Sequence, residues 1–283
     1  MTVKSLICVI FLSTILNAQD AFTLDEVKDL SKIVGLAWAP YKPAPADLVL
    51  PSRYFSYCSS ENASIIEKGA IMVDAVKKQI AISLPGTLNM PDFLVDMEAS
   101  HKQLSWMDGS AHAGFLNEFD NILPGLIPAL EAISHDIGQD LKEFSVVTLG
   151  HSKGGAIAQI LAAYLYTAVG FKNMRVLTIA SPLLFNKAAK IAYNNILDGK
   201  TLHLIERADL IPYLPPGLFG FERTGYVLYV DCSNIVHKLE GYEKSLDVMD
   251  SSQFKISKEK AFPSFNIFKF KSYLLMQYIL SCL

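Results

Sequence analysis

The segment Gly150-His151-Ser152-Lys153-Gly154 limits the possible folds more than any other part of the chain. An apolar run, 144–149, precedes it, and an alanine-rich run, 152–169, follows it. A serine on such a strand-to-helix turn is typical of a nucleophile, because the strained turn accepts only small residues two positions before and after it. The N-terminus of the following helix adds partial positive charge where an oxyanion would form. A glycine turn with an incidental serine is the alternative.

The chain alternates strand-like and helix-like segments, which indicates its fold class. Strands are predicted at 79–84, 144–149, 174–180, 201–205 and 225–230, and helices at 24–38, 152–169 and 188–196. Residues 115–137 are predicted as two helices interrupted at Pro124 and Pro128. The alternation predicts an α/β fold in which helices cover both faces of a mainly parallel sheet.

Length and charge restrict the function classes. The 283 residues allow one large domain or two small ones, and they are enough for a substantial single core. The formal net charge of −3 argues against nucleic acid as a partner, because phosphate binding needs clustered lysine and arginine. We find no spaced cluster of histidine, cysteine and acidic residues, so we expect neither a metal nor a cofactor.

The N-terminus is typical of a signal peptide. Lys4 precedes an apolar run, 6–16, that is too short to cross a bilayer, and Ala18 supplies a small residue for cleavage. We therefore predict a signal peptide over 1–18, one domain over 19–283, and a location outside the cell or in the secretory pathway. An uncleaved anchor or a plain N-terminal helix is the alternative.

Export would allow disulfide formation and glycosylation. Cys58, Cys232 and Cys282 would remain after cleavage, and they permit either one disulfide with one free thiol or three buried thiols. Asn62 begins a glycosylation sequon. The aromatic-rich C-terminal stretch, 262–283, is predicted to pack on the core, with contact to a lipid surface as the alternative.

A nucleophilic serine needs a histidine base, and in this fold class the order along the chain is serine, acid, histidine. Only His203 and His237 follow Ser152. His203 lies within a predicted strand and precedes the best acid candidate, so we interpret it as structural. His237 lies in a loop-like stretch downstream of that acid, which predicts that it is the base.

The acid that orients the base is predicted to be Asp209. It follows the strand 201–205 in a loop, from which a carboxylate can reach back to the histidine. Glu206 and Asp231 are the competing candidates, and a turn or capping role for Asp209 is the alternative.

An oxyanion hole requires two N–H donors. One is predicted to be the backbone N–H of Lys153, which follows the nucleophile. The other is predicted at Thr87, because Leu84-Pro85-Gly86-Thr87 ends an earlier strand and its glycine lets the backbone approach a substrate. An ordinary turn is the alternative for Thr87.

Seven short pieces stand in order between Ile80 and Tyr242, over more than half of the chain. Together they resemble the class 3, or fungal-type, lipase family of the α/β-hydrolases. The pieces are Leu84-Pro85-Gly86-Thr87, Pro91 to Met97, His112-Ala113-Gly114-Phe115, Gly150 to Ala156, Ala180 to Asn186, Asp209 to Pro216, and His237 to Tyr242.

The resemblance implies an α/β-hydrolase fold and hydrolysis of carboxylic esters, of acylglycerols or phospholipids, by Ser152, Asp209 and His237. It also implies a lipid or other ester as the substrate, a transient contact with a lipid surface, and a structural role for His112. Members often carry a helical lid, for which 88–97 is the candidate here, although its apolar residues could equally belong to the core. A small-ester or thioester hydrolase without interfacial activation, or a catalytically silent lipid- or partner-binding protein, is the alternative.

Three departures from the family pattern affect the expected site. Pro85 replaces the family's arginine, so the oxyanion loop is expected to be set differently. Lys153 replaces the usual leucine; its backbone can still donate, and its side chain is expected at the rim of the pocket. The interval from Asp209 to His237 is also shorter, which indicates a reduced insertion.

Overall fold

The computed structural model of the protein describes residues 21–37, 52–58, 66–87, 100–232 and 237–258. The predictions for the signal peptide, for the sequon at Asn62, for the lid candidate 88–97 and for the C-terminal stretch 262–283 lie outside these ranges, as does Cys282. Of Cys58 only the backbone is described.

The described residues form two sheets and a set of flanking α-helices. The strands are β1 (Ser52–Cys58), β2 (Ile66–Asp74), β3 (Gln79–Leu84), β4 (His101–Gln103), β5 (Ser110–His112), β6 (Ser145–His151), β7 (Met174–Ile179), β8 (Phe185–Asn186), β9 (Thr201–Glu206), β10 (Phe221–Glu222), β11 (Tyr226–Val230) and β12 (Ile256–Ser257). The helices are α1 (Leu24–Leu36), α2 (Ala113–Ile137), α3 (Lys153–Tyr164), α4 (Lys187–Leu197) and α5 (Leu239–Val248).

The main sheet has eight strands in the order β1-β2-β3-β6-β7-β9-β11-β12. Its central strands, from β3 to β11, are parallel, and the pairs at the two edges are antiparallel. Each parallel strand lies beside the next parallel strand in the chain, as is usual for consecutive elements joined by short connections. The predicted α/β fold with a mainly parallel sheet is therefore confirmed.

Helices cover both faces of this sheet, because alternate strand residues bury their side chains in different cores. Val146 packs into a core that contains residues of α2, α3 and α4, whereas the adjacent Val147 packs into a core formed with α1 and α5. A strand that is buried on both faces reads as a continuous apolar run, which is why 144–149 could be recognised from sequence.

The small second sheet was not predicted. It has the strand order β10-β8-β5-β4, and its strands are only two or three residues long, too short to show a periodic pattern. His112 ends β5 and is buried, with its ring centroid 4.5 Å from that of Phe115 and 5.5 Å from that of Phe221. This packing joins the small sheet to the start of α2.

The prediction of two helices over 115–137 is wrong, because α2 runs unbroken from Ala113 to Ile137. Pro124 and Pro128 are four residues apart and both lie on the exposed face of the helix. There water can bind the carbonyl groups that lose their intrahelical N–H partners. The buried face continues through both prolines, with Ile122, Leu126 and Leu130 in the core.

The N-terminal helix α1 begins one residue after Thr23, whose hydroxyl accepts a hydrogen bond from the Glu26 N–H at 3.2 Å. It ends at Leu36, two residues before the predicted end. Within the part of the chain that the structure describes, no helix combines the length and apolar character needed to cross a membrane.

Candidate active site

The carboxyl ends of the parallel strands bring the predicted site residues to one edge of the sheet. In the β3–β6 pair, Leu84 lies opposite Gly150, so Thr87 and Ser152 follow neighbouring strand ends. Asp209 follows the end of β9 at Glu206, on the same edge. Loops at this edge form the binding sites of open α/β sheets.

Ser152 occupies a strained turn between β6 and α3. Its backbone has φ 54° and ψ −125°, which a residue with a Cβ atom rarely adopts. The Ser152 N–H is held by the Ile179 carbonyl at 2.9 Å. Such strain persists only where the surrounding structure enforces it, and it presents the hydroxyl at the end of the sheet.

The glycines around Ser152 are required by space, as the sequence analysis predicted. A Cβ atom on Gly150 would overlap the backbone of Gly154. A Cβ atom on Gly154 would overlap the carbonyl groups of Leu84 and Pro85, at the end of β3. The turn and the adjoining strand end are thus in direct backbone contact.

His237 bridges the other two side chains of the site. Its Nε2 lies 3.0 Å from Ser152 Oγ, and its Nδ1 lies 2.8 Å from Asp209 Oδ2. Asp209 and Ser152 are buried, and only 10% of the His237 side chain is exposed. These distances are within the range of hydrogen bonds, so the imidazole connects a hydroxyl to a carboxylate.

Asp209 is held by further donors besides the histidine. Its Oδ1 accepts the Ile211 N–H at 3.0 Å, and its Oδ2 accepts the Tyr242 hydroxyl at 3.0 Å. Burial and the negative charge of Asp209 raise the pKa of Tyr242, so the phenol remains a donor. The Tyr242 oxygen in turn accepts the Glu206 N–H at 3.0 Å. Tyr242 ends one of the seven pieces, but nothing in the sequence alone pointed to a function for it.

The carboxylate that His237 contacts is that of Asp209, and the competing acid candidates lie in other environments. The Glu206 carboxylate accepts backbone N–H groups from Ala208, at 3.0 Å, and Cys232, at 2.6 Å. It therefore ties the end of β9 to the end of β11. Asp231 is exposed.

Burial and the nearby carboxylates raise the pKa of the Cys232 thiol to about 12, so it remains protonated.

His203 lies in the core and bonds to residues other than Ser152, Asp209 and His237, as expected of a structural residue. Its Nδ1 is 2.7 Å from Thr178 Oγ1, and its Nε2 is 3.0 Å from the Thr224 carbonyl. Burial, with the positive charge of Arg223, lowers the pKa of His203 to about 3. The imidazole is therefore neutral and joins β9 to its neighbours.

A second histidine lies near His237, with its ring tilted by 38° to that of His237. His151 is buried, and its ring centroid lies 5.0 Å from that of His237. Burial holds the pKa of His151 well below its usual range, and the charge of His237 acts in the same direction. His151 therefore presents a neutral ring to His237.

The two predicted oxyanion donors, Thr87 and Lys153, follow the ends of the neighbouring strands β3 and β6. Thr87 is buried three residues beyond the end of β3, and Lys153 is the first residue of α3. The Lys153 side chain does not reach the pocket rim, so that expectation is wrong. Its Nζ lies 3.0 Å from Glu118 Oε1 inside the protein, because a carboxylate on α2 offers the ammonium a partner there.

No group of three or more histidine, cysteine or acidic side chains that could hold a metal occurs in the described ranges. The arrangement that these ranges do contain is a hydroxyl, an imidazole and a carboxylate in series. In this geometry the imidazole can accept the hydroxyl proton while the carboxylate stabilises the resulting charge.

The chain is similar to known lipases. The model of the family described as "Lipase (class 3)" matches residues 81–219. Secreted mono- and diacylglycerol lipase 1 of Fusarium solani is 27% identical over 165 residues, which are 57% of this chain and 46% of that protein. Secreted mono- and diacylglycerol lipase MDL5 of Malassezia globosa is 26% identical over 155 residues, which are 54% of this chain and 48% of that protein. The chain thus aligns with about half the length of these curated relatives.

The fold also matches solved structures. A crystal structure of a lipase from Rhizopus microsporus var. chinensis has a TM-score of 0.61 and 20% sequence identity, covering 77% of this chain and 78% of that chain. At this identity the similarity shows a shared α/β-hydrolase fold.

Proposed function

Because this chain belongs to the class 3 lipase family of the α/β-hydrolase superfamily, we propose that it hydrolyses carboxylic esters of acylglycerols with Ser152 as the nucleophile. The observation that carries the proposal is the position of His237, 3.0 Å from Ser152 Oγ and 2.8 Å from Asp209 Oδ2. A serine hydroxyl is a weak nucleophile near neutral pH, and this contact supplies the base that it needs.

In the first half of the reaction, Ser152 Oγ attacks the ester carbonyl carbon while His237 Nε2 takes the hydroxyl proton. Asp209 keeps the imidazole in the required tautomer and stabilises its positive charge. The carbonyl oxygen becomes an oxyanion, which the backbone N–H groups of Lys153 and Thr87 stabilise. His237 then returns the proton to the leaving alcohol, and the acyl group remains on Ser152.

In the second half, water enters in place of the alcohol. His237 takes a proton from this water as it attacks the acyl carbon, and the same oxyanion donors act again. The collapse of the second tetrahedral intermediate releases the fatty acid and restores the Ser152 hydroxyl. Each step uses groups of this chain and requires no additional proton donor.

The proposed substrate class rests on the relatives. Two of them are named mono- and diacylglycerol lipases, and both are named as secreted. We therefore extend the proposal to partial acylglycerols as substrates and to secretion through the predicted signal peptide 1–18. Phospholipid acyl esters are the next substrates to test.

Active-site labelling of the purified full-length protein tests the nucleophile. A fluorophosphonate probe is expected to label the wild type and not Ser152→Ala, which is also expected to lose p-nitrophenyl ester turnover with native circular dichroism. Ser145→Ala, earlier in β6, is the matched control and is expected to retain both properties. Turnover retained by Ser152→Ala would contradict the assignment.

A substrate panel tests the reaction class. Monoolein, diolein, triolein, phosphatidylcholine, a short-chain p-nitrophenyl ester and an acyl thioester are compared below and above the concentration at which each aggregates. Preference for aggregated acylglycerols supports the proposal. Turnover confined to short-chain esters or thioesters would indicate the small-ester alternative, and an unlabelled, inactive wild type would indicate a silent binding protein.

A further inference from the structure

The residue that follows the nucleophile has an unusual environment. Lys153 is the first residue of α3, yet only 2% of its side chain is exposed. Its Nζ lies 3.0 Å from Oε1 of Glu118, of which 1% is exposed. Glu118 lies in the second turn of α2, so the ion pair connects the N-terminal halves of two helices inside one core.

This position is electrostatically unfavourable for a cation. The N-terminus of a helix carries partial positive charge, which disfavours the Lys153 ammonium. Burial of both charges adds a desolvation penalty, which their attraction offsets only when the geometry is good. A leucine, which the family pattern has at this position, would fill the space without either cost. The ion pair is therefore poorly explained as a device for stability alone.

The ion pair between Lys153 and Glu118 does fix the position of Lys153 relative to α2. An ammonium and a carboxylate buried together tolerate little separation, because either charge alone would be strongly destabilised there. The backbone of Lys153 is consequently tied to α2 at the residue whose N–H is a predicted oxyanion donor. Ser152, one residue earlier, has a strained backbone at φ 54°. Such strain persists only where the surroundings enforce it, and the held Lys153 is part of those surroundings.

We propose that Glu118 is a positioning residue for ester hydrolysis, which holds Lys153 by the buried ion pair so that its backbone N–H points at the developing oxyanion. This inference rests on the proposed function and adds to it a residue outside the series Ser152, His237 and Asp209. Glu118 acts through Lys153 and does not contact the substrate.

The ion pair can be broken from either side, and a second ion pair, between α2 and β4, provides the controls. Glu118→Gln and Lys153→Met remove one charge each and nearly keep side-chain volume. Asp120, two residues after Glu118 on α2, pairs with Lys102 at 2.7 Å, with 51% and 42% of their side chains exposed. Asp120→Asn and Lys102→Met therefore make the same chemical changes in a solvated pair, which contributes little.

We expect Glu118→Gln and Lys153→Met to lower kcat for a soluble ester about 10- to 100-fold, since small displacements of catalytic donors have effects of this size. KM is expected to stay within about twofold, because the donors act on the transition state more than on the bound ester. Affinity for an alkylboronic acid, whose adduct with Ser152 carries a tetrahedral anion, should fall in parallel with kcat. Asp120→Asn and Lys102→Met should match the wild type in all three quantities.

A double variant separates positioning from folding. Glu118→Met with Lys153→Met removes both charges and fills the space, so it is expected to fold at least as stably as the wild type. Because the tie between α2 and α3 is lost, its kcat and boronate affinity should remain low. Wild-type kcat in this folded double variant, or in Glu118→Gln, would overturn the inference while leaving the nucleophile assignment intact. An inactive wild type would overturn the proposed function and this inference together.

Discussion

Tyr242 donates its hydroxyl hydrogen bond to Asp209 Oδ2 over 3.0 Å, and both side chains are completely buried. The same oxygen accepts from His237 Nδ1, so two donors fix one carboxylate oxygen beside the imidazole. A buried carboxylate with these partners has one preferred orientation, and that orientation determines where the imidazole lies.

Removal of the Tyr242 hydroxyl should weaken catalysis, although Ser152, His237 and Asp209 all remain. We expect Tyr242→Phe to lower kcat/KM about tenfold, the effect of losing a hydrogen bond to a charged group worth about 1.4 kcal/mol. Steady-state kinetics with a soluble ester measure this. Tyr193→Phe is the control, because the Tyr193 hydroxyl is equally buried and lies 2.8 Å from Thr201 Oγ1. It should lose about 1 kcal/mol of stability with unchanged kcat/KM; a similar loss of activity in both variants would argue for a purely structural role of Tyr242.

Removal of the Cβ atom of Ser152 should relieve the backbone strain there and so raise the free energy of unfolding. Ser152→Gly and Ser152→Ala both lack the hydroxyl and should be inactive, so their comparison isolates the Cβ atom at φ 54°. Relief of strain exceeds the greater entropy of glycine in the unfolded chain, so Ser152→Gly should be more stable by about 1 kcal/mol. Urea denaturation measures the difference. At Ser145, in the regular strand β6, the order should reverse; equal stability of the two Ser152 variants would speak against strain.

Gly154 should not tolerate a methyl group. Its Cβ atom would overlap the carbonyl groups of Leu84 and Pro85, so Gly154→Ala must separate the turn from the end of β3. We expect a stability loss of about 1–3 kcal/mol and a loss of kcat/KM of about 100-fold, because the oxyanion donors move apart. Thermal denaturation and fluorophosphonate labelling rates measure the two effects.

The control for that change is another glycine. A Cβ atom on Gly35, in α1, would meet Glu243 Oε1 and Leu239 Cδ2 at an ordinary 3.7 Å. Gly35→Ala should therefore add about 0.5–1 kcal/mol of stability through helix propensity, with normal activity. Near-normal labelling of Gly154→Ala would show that the strand end can move without harm.

The stability of the protein should fall on acidification, because the folded state buries His203 in its neutral form. Burial lowers the pKa of His203 to about 3, from 6.5 in the unfolded chain. Below pH 6.5 the unfolded state therefore binds a proton that the folded state excludes. Between pH 7 and pH 5 this should reduce the free energy of unfolding by about 2 kcal/mol, and His151, whose pKa is also lowered, acts in the same direction.

Urea unfolding at the two pH values, in the wild type and in His203→Gln, tests this linkage. The variant should lose about 2 kcal/mol less than the wild type between pH 7 and pH 5, whatever its stability at pH 7. His135, whose side chain is 90% exposed, provides the control, and His135→Gln should keep the wild-type pH dependence. Identical pH dependence in all three proteins would exclude His203 as the source.

The features that could be predicted from the sequence depend on residues close together in the chain, or on burial that extends along a whole segment. The apolar runs that became β6 and β7 are buried on both faces, so their composition alone marks them as strands. The turn at Ser152 follows from the glycines around it, because the same few residues create and fill the space. The sequence did not predict the antiparallel edge strands β1 and β2, which lie outside the alternating pattern, or the unbroken course of α2 through Pro124.

The α/β class, the turn that carries Ser152 and the order in which an acid and a histidine follow it can all be read from the chain. The packed fold is needed to place His237 between Ser152 and Asp209, to bond Tyr242 to the acid and to turn Lys153 inward to Glu118. These two groups of features differ in the distance along the chain over which they act. Backbone strain and strand burial act within a few residues, whereas these hydrogen bonds and the ion pair join residues 28 to 85 positions apart, whose distances only the packed sheet and helices fix.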